Sequence, residues 1–158
     1  MQNRQIIIDY YEYESLAELP AEARSLMQKA IAATATAYVP YSHFRVGAAV
    51  LLADGTVVTG SNQENIAYPS GLCAERTALF SASAQYPDKA VTALAVVGRD
   101  PAGQLVEASP CGACRQVLSE YETRYGSPIT VFLYMKEGRI RRVEGVNSLL
   151  PFSFKADL

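Results

Sequence analysis

The sequence predicts a three-layer α/β/α sandwich around a mixed five-stranded sheet. Three observations carry that expectation. Helical and strand periods alternate along the chain, in the order helix, hairpin, helix, strand, helix, strand, strand. An Asp54-Gly55 turn joins two apolar runs. The strands flanking the last two helices need crossover connections, which favours parallel pairing there.

Residues 1–20 read as an irregular or strand-like arm ending at Pro20, ahead of one domain over residues 21–158. Ala23, Leu26, Met27, Ala30, Ile31 and Ala37 recur at helical spacing and predict a helix over 21–37. Val39-Pro40 breaks it. Residues 44–53 form a strongly apolar strand, and 56–61 return beside it. Pro69-Ser70-Gly71 marks a loop, and residues 73–84 follow as a helix. Residues 91–98 are a buried-strand run, and 99–109 a polar loop. Pro110 opens a helix that runs to about Tyr125. Residues 129–135 and 139–144 are strands around a Glu137-Gly138 turn, and the chain closes from Asn147 with a short helical piece and a tail.

Composition narrows the function. The net charge is −2, whereas a general nucleic-acid binder carries a basic excess against phosphates. A small uncharged ligand fits better than a polymeric nucleic acid. No segment approaches the roughly 18 apolar residues of a membrane span. The N-terminus lacks a signal peptide's apolar centre, so a cytoplasmic location is expected. Thiols stay reduced there, and three cysteines then suggest metal ligation, catalysis or plain burial.

All three cysteines fall in two motifs, Cys73-Ala74-Glu75 and Pro110-Cys111-Gly112-Ala113-Cys114. Both sit where a helix is expected to begin. In the second motif the cysteines lie about one helical turn apart, so both thiols can face one ion. Free N–H groups and the helix dipole at such a start stabilise thiolates. A structural zinc is normally closed by four protein ligands, whereas a catalytic zinc keeps one position for water. Three cysteines and one histidine therefore point to an open Zn2+ site at Cys73, Cys111 and Cys114. His43, a turn residue by its surroundings, or a carboxylate could close it instead, which would make the zinc structural. Three thiolates leave Zn2+ with a net negative charge, and Arg76 is placed to offset it by a hydrogen bond to a cysteine sulfur. Glu75, two residues from a ligand, suits a proton carrier between water and a leaving group.

The motifs Tyr41-Ser42-His43-Phe44-Arg45-Val46-Gly47-Ala48-Ala49, Asn62-Gln63-Glu64-Asn65, Cys73-Ala74-Glu75-Arg76-Thr77-Ala78 and Pro110-Cys111-Gly112-Ala113-Cys114-Arg115-Gln116 stand in order. Through them the chain resembles the small homotetrameric cytidine deaminases over roughly residues 21–154. That resemblance implies hydrolytic deamination of cytidine and deoxycytidine in pyrimidine salvage, with zinc as cofactor and a nucleoside as partner. It implies that Phe44 packs on the pyrimidine, that Asn62 and Glu64 hold the ribose 3′-hydroxyl, and that the Ala74 N–H meets the base O2. Tyr68 and Phe154 would reach across subunit interfaces of a homotetramer that shares its active sites. Phe152 stands where the family often has glycine, the loop over 99–109 is somewhat long, and the arm through Pro20 is not part of the usual core. Deamination of another cytosine-like compound, such as blasticidin S, is the neighbouring alternative.

Overall fold

A computed structural model describes residues 1–155. An interior strand, one in from the edge of the sheet, explains the almost unbroken apolar run that the sequence places here. Strand β2 (Arg45–Leu52) is covered on both faces, so neither side alternates toward water. Ala48, Val50 and Leu52 join one cluster, while Ala49 and Leu51 join another on the opposite face.

The first cluster holds helices α2 (Ala74–Gln85) and α3 (Gly112–Tyr125) through Ala78, Leu79, Leu118 and Tyr121. The second holds α1 (Ala21–Ala33) through Leu26, Met27 and Ala30. The molecule is thus the expected three-layer α/β/α sandwich. Helix α1 lies flush on β2 at Gly47, where a Cβ would stand 2.0 Å from the Ala30 carbonyl oxygen.

The sheet has seven strands where the sequence period predicts five. The expected strands are β2, β3 (Val57–Ser61), β4 (Val91–Arg99), β6 (Thr130–Tyr134) and β7 (Ile140–Glu144). The additions are β1 (Tyr10–Tyr13) and β5 (Leu105–Val106). Strand β1 extends the sheet edge by pairing antiparallel with β7, and β5 pairs with the end of β4. The edge order is β1-β7-β6-β4-β2-β3. Neither shows a hydrophobic period: β5 is two residues long, and β1 is four residues long and mostly exposed.

Helix α3 links β4 to β6, and these two pair in parallel as expected. Helix α2 links β3 to β4, which run in the same direction without pairing, because β2 lies between them antiparallel to both. Helix α1 stops at Ala33, four residues before Ala37, and a 3-10 turn over Thr34–Thr36 follows. Thr34 contributes to that stop, since its hydroxyl donates back to the Ile31 carbonyl at 2.8 Å. The C-terminal segment contains a 3-10 turn at Val146–Ser148. Phe152 has φ 57°, the left-handed region that a glycine adopts without steric cost. No described helix is long and apolar enough to cross a membrane.

Candidate metal centre and substrate cleft

Strands β3 and β4 both end on one side of the sheet, and α2 and α3 begin there. Cys73 is the residue that caps the start of α2, and Cys111 caps α3. Cys114 is the third residue of α3 and is fully buried. The Sγ atoms of Cys73 and Cys111 lie 3.7 Å apart, those of Cys111 and Cys114 3.5 Å, and all three fall within 4.8 Å. A disulfide needs about 2.05 Å, so the thiols are free. Tetrahedral zinc with Zn–S bonds of about 2.3 Å separates its sulfurs by about 3.8 Å. The donor set and its spacing therefore fit one zinc ion with three cysteine ligands. Among the described residues this metal-capable cluster consists of these cysteines. His43 lines a different cavity, beside Arg45 and Arg99.

The arginine lies where the charge argument puts it. Arg76 Nη2 donates to Cys73 Sγ at 3.6 Å. The Cys73 thiol is lowered to about 5, first by its hydrogen bond with Cys114 and also by Arg76. Cys114 moves the other way, through the same bond and through burial. The first amides of α2 and α3 also face this end of the sheet, where the positive ends of both helix dipoles favour anionic sulfur.

Glu75, in the first turn of α2, is only 3 % exposed. Burial raises its carboxyl to about 7. It shares an inner cavity of about 320 Å³ with Phe44, Ala74, Cys73 and Cys111. An outer cavity of about 490 Å³, walled by Tyr41, Glu64, Tyr68 and Arg76, meets the inner one at Asn62 and Cys73. Together they form one cleft, deep at the cysteines and open at the tyrosines.

Each wall has a local cause. Asn62 accepts from the Val46 N–H at 2.8 Å and donates to the Phe44 carbonyl at 2.9 Å, which fixes the start of β2. A carboxamide has two donors and two lone-pair sites, so one of each remains for a ligand. Glu64 Oε2 accepts from the Tyr41 and Ser42 N–H groups at 3.0 and 3.3 Å. Its carboxyl is held below the usual range, first by the Ser42 side chain and then by these amides. Beside the ribose hydroxyl that the resemblance implies, the donors to Glu64 thus include its own chain. Phe44 rests on Gly98, where a Cβ would stand 2.8 Å from the ring's Cζ.

Tyr68 is exposed at the outer rim, its ring edge-on to Tyr41 with centroids 5.9 Å apart. Phe154 lines neither cavity; it is 82 % exposed and its carbonyl accepts from Gln116 Nε2 at 2.8 Å. The sequence reading misses Glu107 and Ser109, which wall the inner cavity just ahead of the Pro110-Cys111 motif. Their nearness to a ligand cysteine is the signal that could have found them.

Residues 20–126 match the family described as the cytidine and deoxycytidylate deaminase zinc-binding region. A cytidine deaminase of Halalkalibacterium halodurans is 43% identical over 136 residues, covering 86% of this chain and 96% of that protein. One of Mycobacterium tuberculosis is 49% identical over 132 residues, covering 84% and 89%. Among solved structures, the cytidine deaminase of Burkholderia pseudomallei superposes with a TM-score of 0.71 at 42% identity, over 82% of this chain and 97% of that one.

Proposed function

The chain belongs to the cytidine and deoxycytidylate deaminase family, and on that premise we propose how its own residues hydrolyse the exocyclic amine of cytidine. The protein is a zinc-dependent hydrolase that converts cytidine and water to uridine and ammonia. One observation carries the residue assignment: three cysteine sulfurs within 4.8 Å of one another share a cavity with a buried carboxylate. Cys73, Cys111 and Cys114 would hold the zinc, which when bound would acidify a water at neutral pH.

Glu75 takes a proton from that water and delivers it to N3 as the oxygen adds to C4. It then takes the remaining proton from the new C4 hydroxyl and passes it to the amine, the C4–N bond breaks, ammonia leaves, and the C4 carbonyl of uridine remains. Burial favours the protonated carboxyl, so both of its forms are accessible near neutrality. Phe44 packs on the pyrimidine, and the Ala74 N–H, first in α2, meets the base O2. Asn62 and the remaining Glu64 oxygen hold the ribose hydroxyl. Arg76 draws charge from the Cys73 sulfur, which keeps a three-thiolate zinc acidic. Deoxycytidine is the second substrate, since nothing in this assignment uses the 2′-hydroxyl.

The enzyme acts as a homotetramer with shared active sites. Tyr68, Phe152 and Phe154 are large and exposed, as residues completing a neighbour's cleft would be in an isolated chain. The catalytic domain is residues 21–158, with residues 1–20 as an arm; the cleft walls named here all fall between 41 and 111.

A panel of cytidine, deoxycytidine, cytosine, CMP and blasticidin S, followed by ultraviolet absorbance, tests the substrate. Cytidine and deoxycytidine should turn over fastest, and preference for blasticidin S would reverse the reading. Size-exclusion chromatography with activity assays tests the assembly, because an active monomer is incompatible with shared sites.

A further inference from the structure

Arg45 and Arg99 lie directly opposite one another on β2 and β4. Both stand an even number of residues from positions that face α1, Ala49 on β2 and Val97 on β4, so both side chains leave the sheet on that side. Like charges in this arrangement repel. Their recorded contacts relieve that only in part. Arg45 Nη1 donates to the Ala37 carbonyl at 3.1 Å and to Ala35 at 3.5 Å. Arg99 donates from Nε to the Thr34 hydroxyl at 3.0 Å and from Nη1 to the Gly103 carbonyl at 2.7 Å. Every one of these acceptors is neutral, and among the described residues neither arginine forms an ion pair.

The pair walls a cavity of about 500 Å³ together with Val39, Pro40, His43 and Asp100. Asp100 is the one carboxylate there, and its Oδ1 accepts from the Gln104 N–H at 2.8 Å. Among the described residues the Nη2 groups of both arginines have no hydrogen-bond partner. Two adjacent guanidinium forks present parallel N–H donors to a tetrahedral oxyanion, which a lone ammonium cannot do. The two guanidiniums outweigh the Asp100 carboxylate, so the wall keeps a net positive charge that favours a phosphate group, and the volume leaves room for an organic substituent.

The cavity's position gives it a consequence. The loop over residues 38–44 is its near wall, through Tyr38, Val39, Pro40 and His43. The other side of the same loop is the substrate cleft, through Tyr41, Ser42 and Phe44. We propose that this cavity binds a phosphate group and that its occupancy alters nucleoside affinity through the shared loop. The coupling rests on the deaminase reading, whereas the binding does not.

The test titrates the zinc-loaded enzyme with inorganic phosphate and, separately, with ribose 5-phosphate, at constant ionic strength kept with chloride. Calorimetry reads binding, and cytidine KM and kcat read coupling. Saturable binding of one phosphate group per chain is expected, with a shift in KM larger than that in kcat. Tighter binding of ribose 5-phosphate identifies a phosphomonoester as the occupant, and tighter inorganic phosphate identifies the free ion. Arg45→Gln/Arg99→Gln should weaken binding roughly tenfold or more. It should keep the KM measured without phosphate. Arg45→Lys/Arg99→Lys, which preserves charge for the fold, should still weaken binding several-fold by losing the fork. Wild-type affinity in the Lys variant overturns the site, as does the absence of saturable binding by either ligand. A Gln variant that changes oligomeric state overturns it too, by showing that a second copy fills the cavity. Binding with no kinetic effect overturns the coupling. An inactive enzyme that still binds phosphate leaves the site standing and rejects only the deaminase reading.

Discussion

At the ends of β3 and β4, two helices begin with cysteines whose sulfurs lie 3.7 Å apart. At the far edge of the same sheet, β1 lies on β7 through four residue pairs, from Tyr10 with Val143 to Tyr13 with Ile140. The first region depends on a few atoms in fixed positions. The second depends on distributed contacts: Glu12 pairs with Arg139 and Arg141, and Arg141 and Arg142 stack on Tyr10 and Tyr11. One substitution should therefore disable the first region, while the second should yield only by degrees.

Zinc removal is the largest expected break in that contrast. A chelator should abolish deamination, and added zinc should restore it. Hydrogen exchange along β1 and β7 should not change, because no ligand lies on either strand. Activity that survives chelation with zinc shown absent would reject the metal's role. Glu75→Gln comes next. It should lower kcat by about 10²- to 10⁴-fold, the usual contribution of a positioned acid or base. Zinc content and thermal midpoint should stay near wild type. If kcat is preserved, another group carries the proton.

The two regions also differ in how far the sequence reveals them. The clustering of Cys73, Cys111 and Cys114 is legible because metal chemistry accepts few residue types, at few spacings, near helix starts, and Glu75 is legible by standing two residues after Cys73. The hairpin at Asp54-Gly55 and the apolar run of β2 are legible because turn chemistry and burial leave local marks. Strand β1 is legible only in part: the arm reads as irregular or strand-like, and what makes Tyr10–Tyr13 a strand is pairing with residues about 130 positions away. Glu107 escapes for a related reason: only the fold brings it to the wall of the cavity that Glu75 also lines. Phe154 poses the reverse case. Its motif is recognisable, yet within one chain its side chain lines neither part of the cleft.

Support beneath the cleft lies between these extremes. Gly60 in β3 passes so close to α2 that a Cβ would stand 2.4 Å from the Ala78 nitrogen and 2.7 Å from the Ala74 oxygen. Both atoms are backbone and cannot rotate aside. Gly60→Ala should cost about 1–3 kcal/mol of stability in urea unfolding, as overpacking commonly does. It should also disturb activity, because the displaced helix carries Cys73 and Glu75 at its start. Unchanged stability would mean that β3 and α2 are less rigidly joined than the geometry requires.

The smallest effect belongs to the arm. Glu12 is held below the ordinary glutamate range, first by the hydrogen bond from Arg141 and also by Arg139. A depressed folded-state pKa stabilises above the unfolded value and is lost as pH falls through the folded value. Mild acid, below the ordinary glutamate pKa of about 4.3, should therefore weaken hydrogen-exchange protection at Tyr10–Tyr13. Glu12→Gln should give weaker protection that no longer responds to pH in this range, and cytidine turnover at neutral pH should be unaffected. The carboxylate is solvent-accessible, so water and salt screen the pair and the change should be slight. An acid response identical in both proteins would place the arm's hold elsewhere, in the β1–β7 backbone ladder and the arginine–tyrosine stacks, where charge on Glu12 has no part.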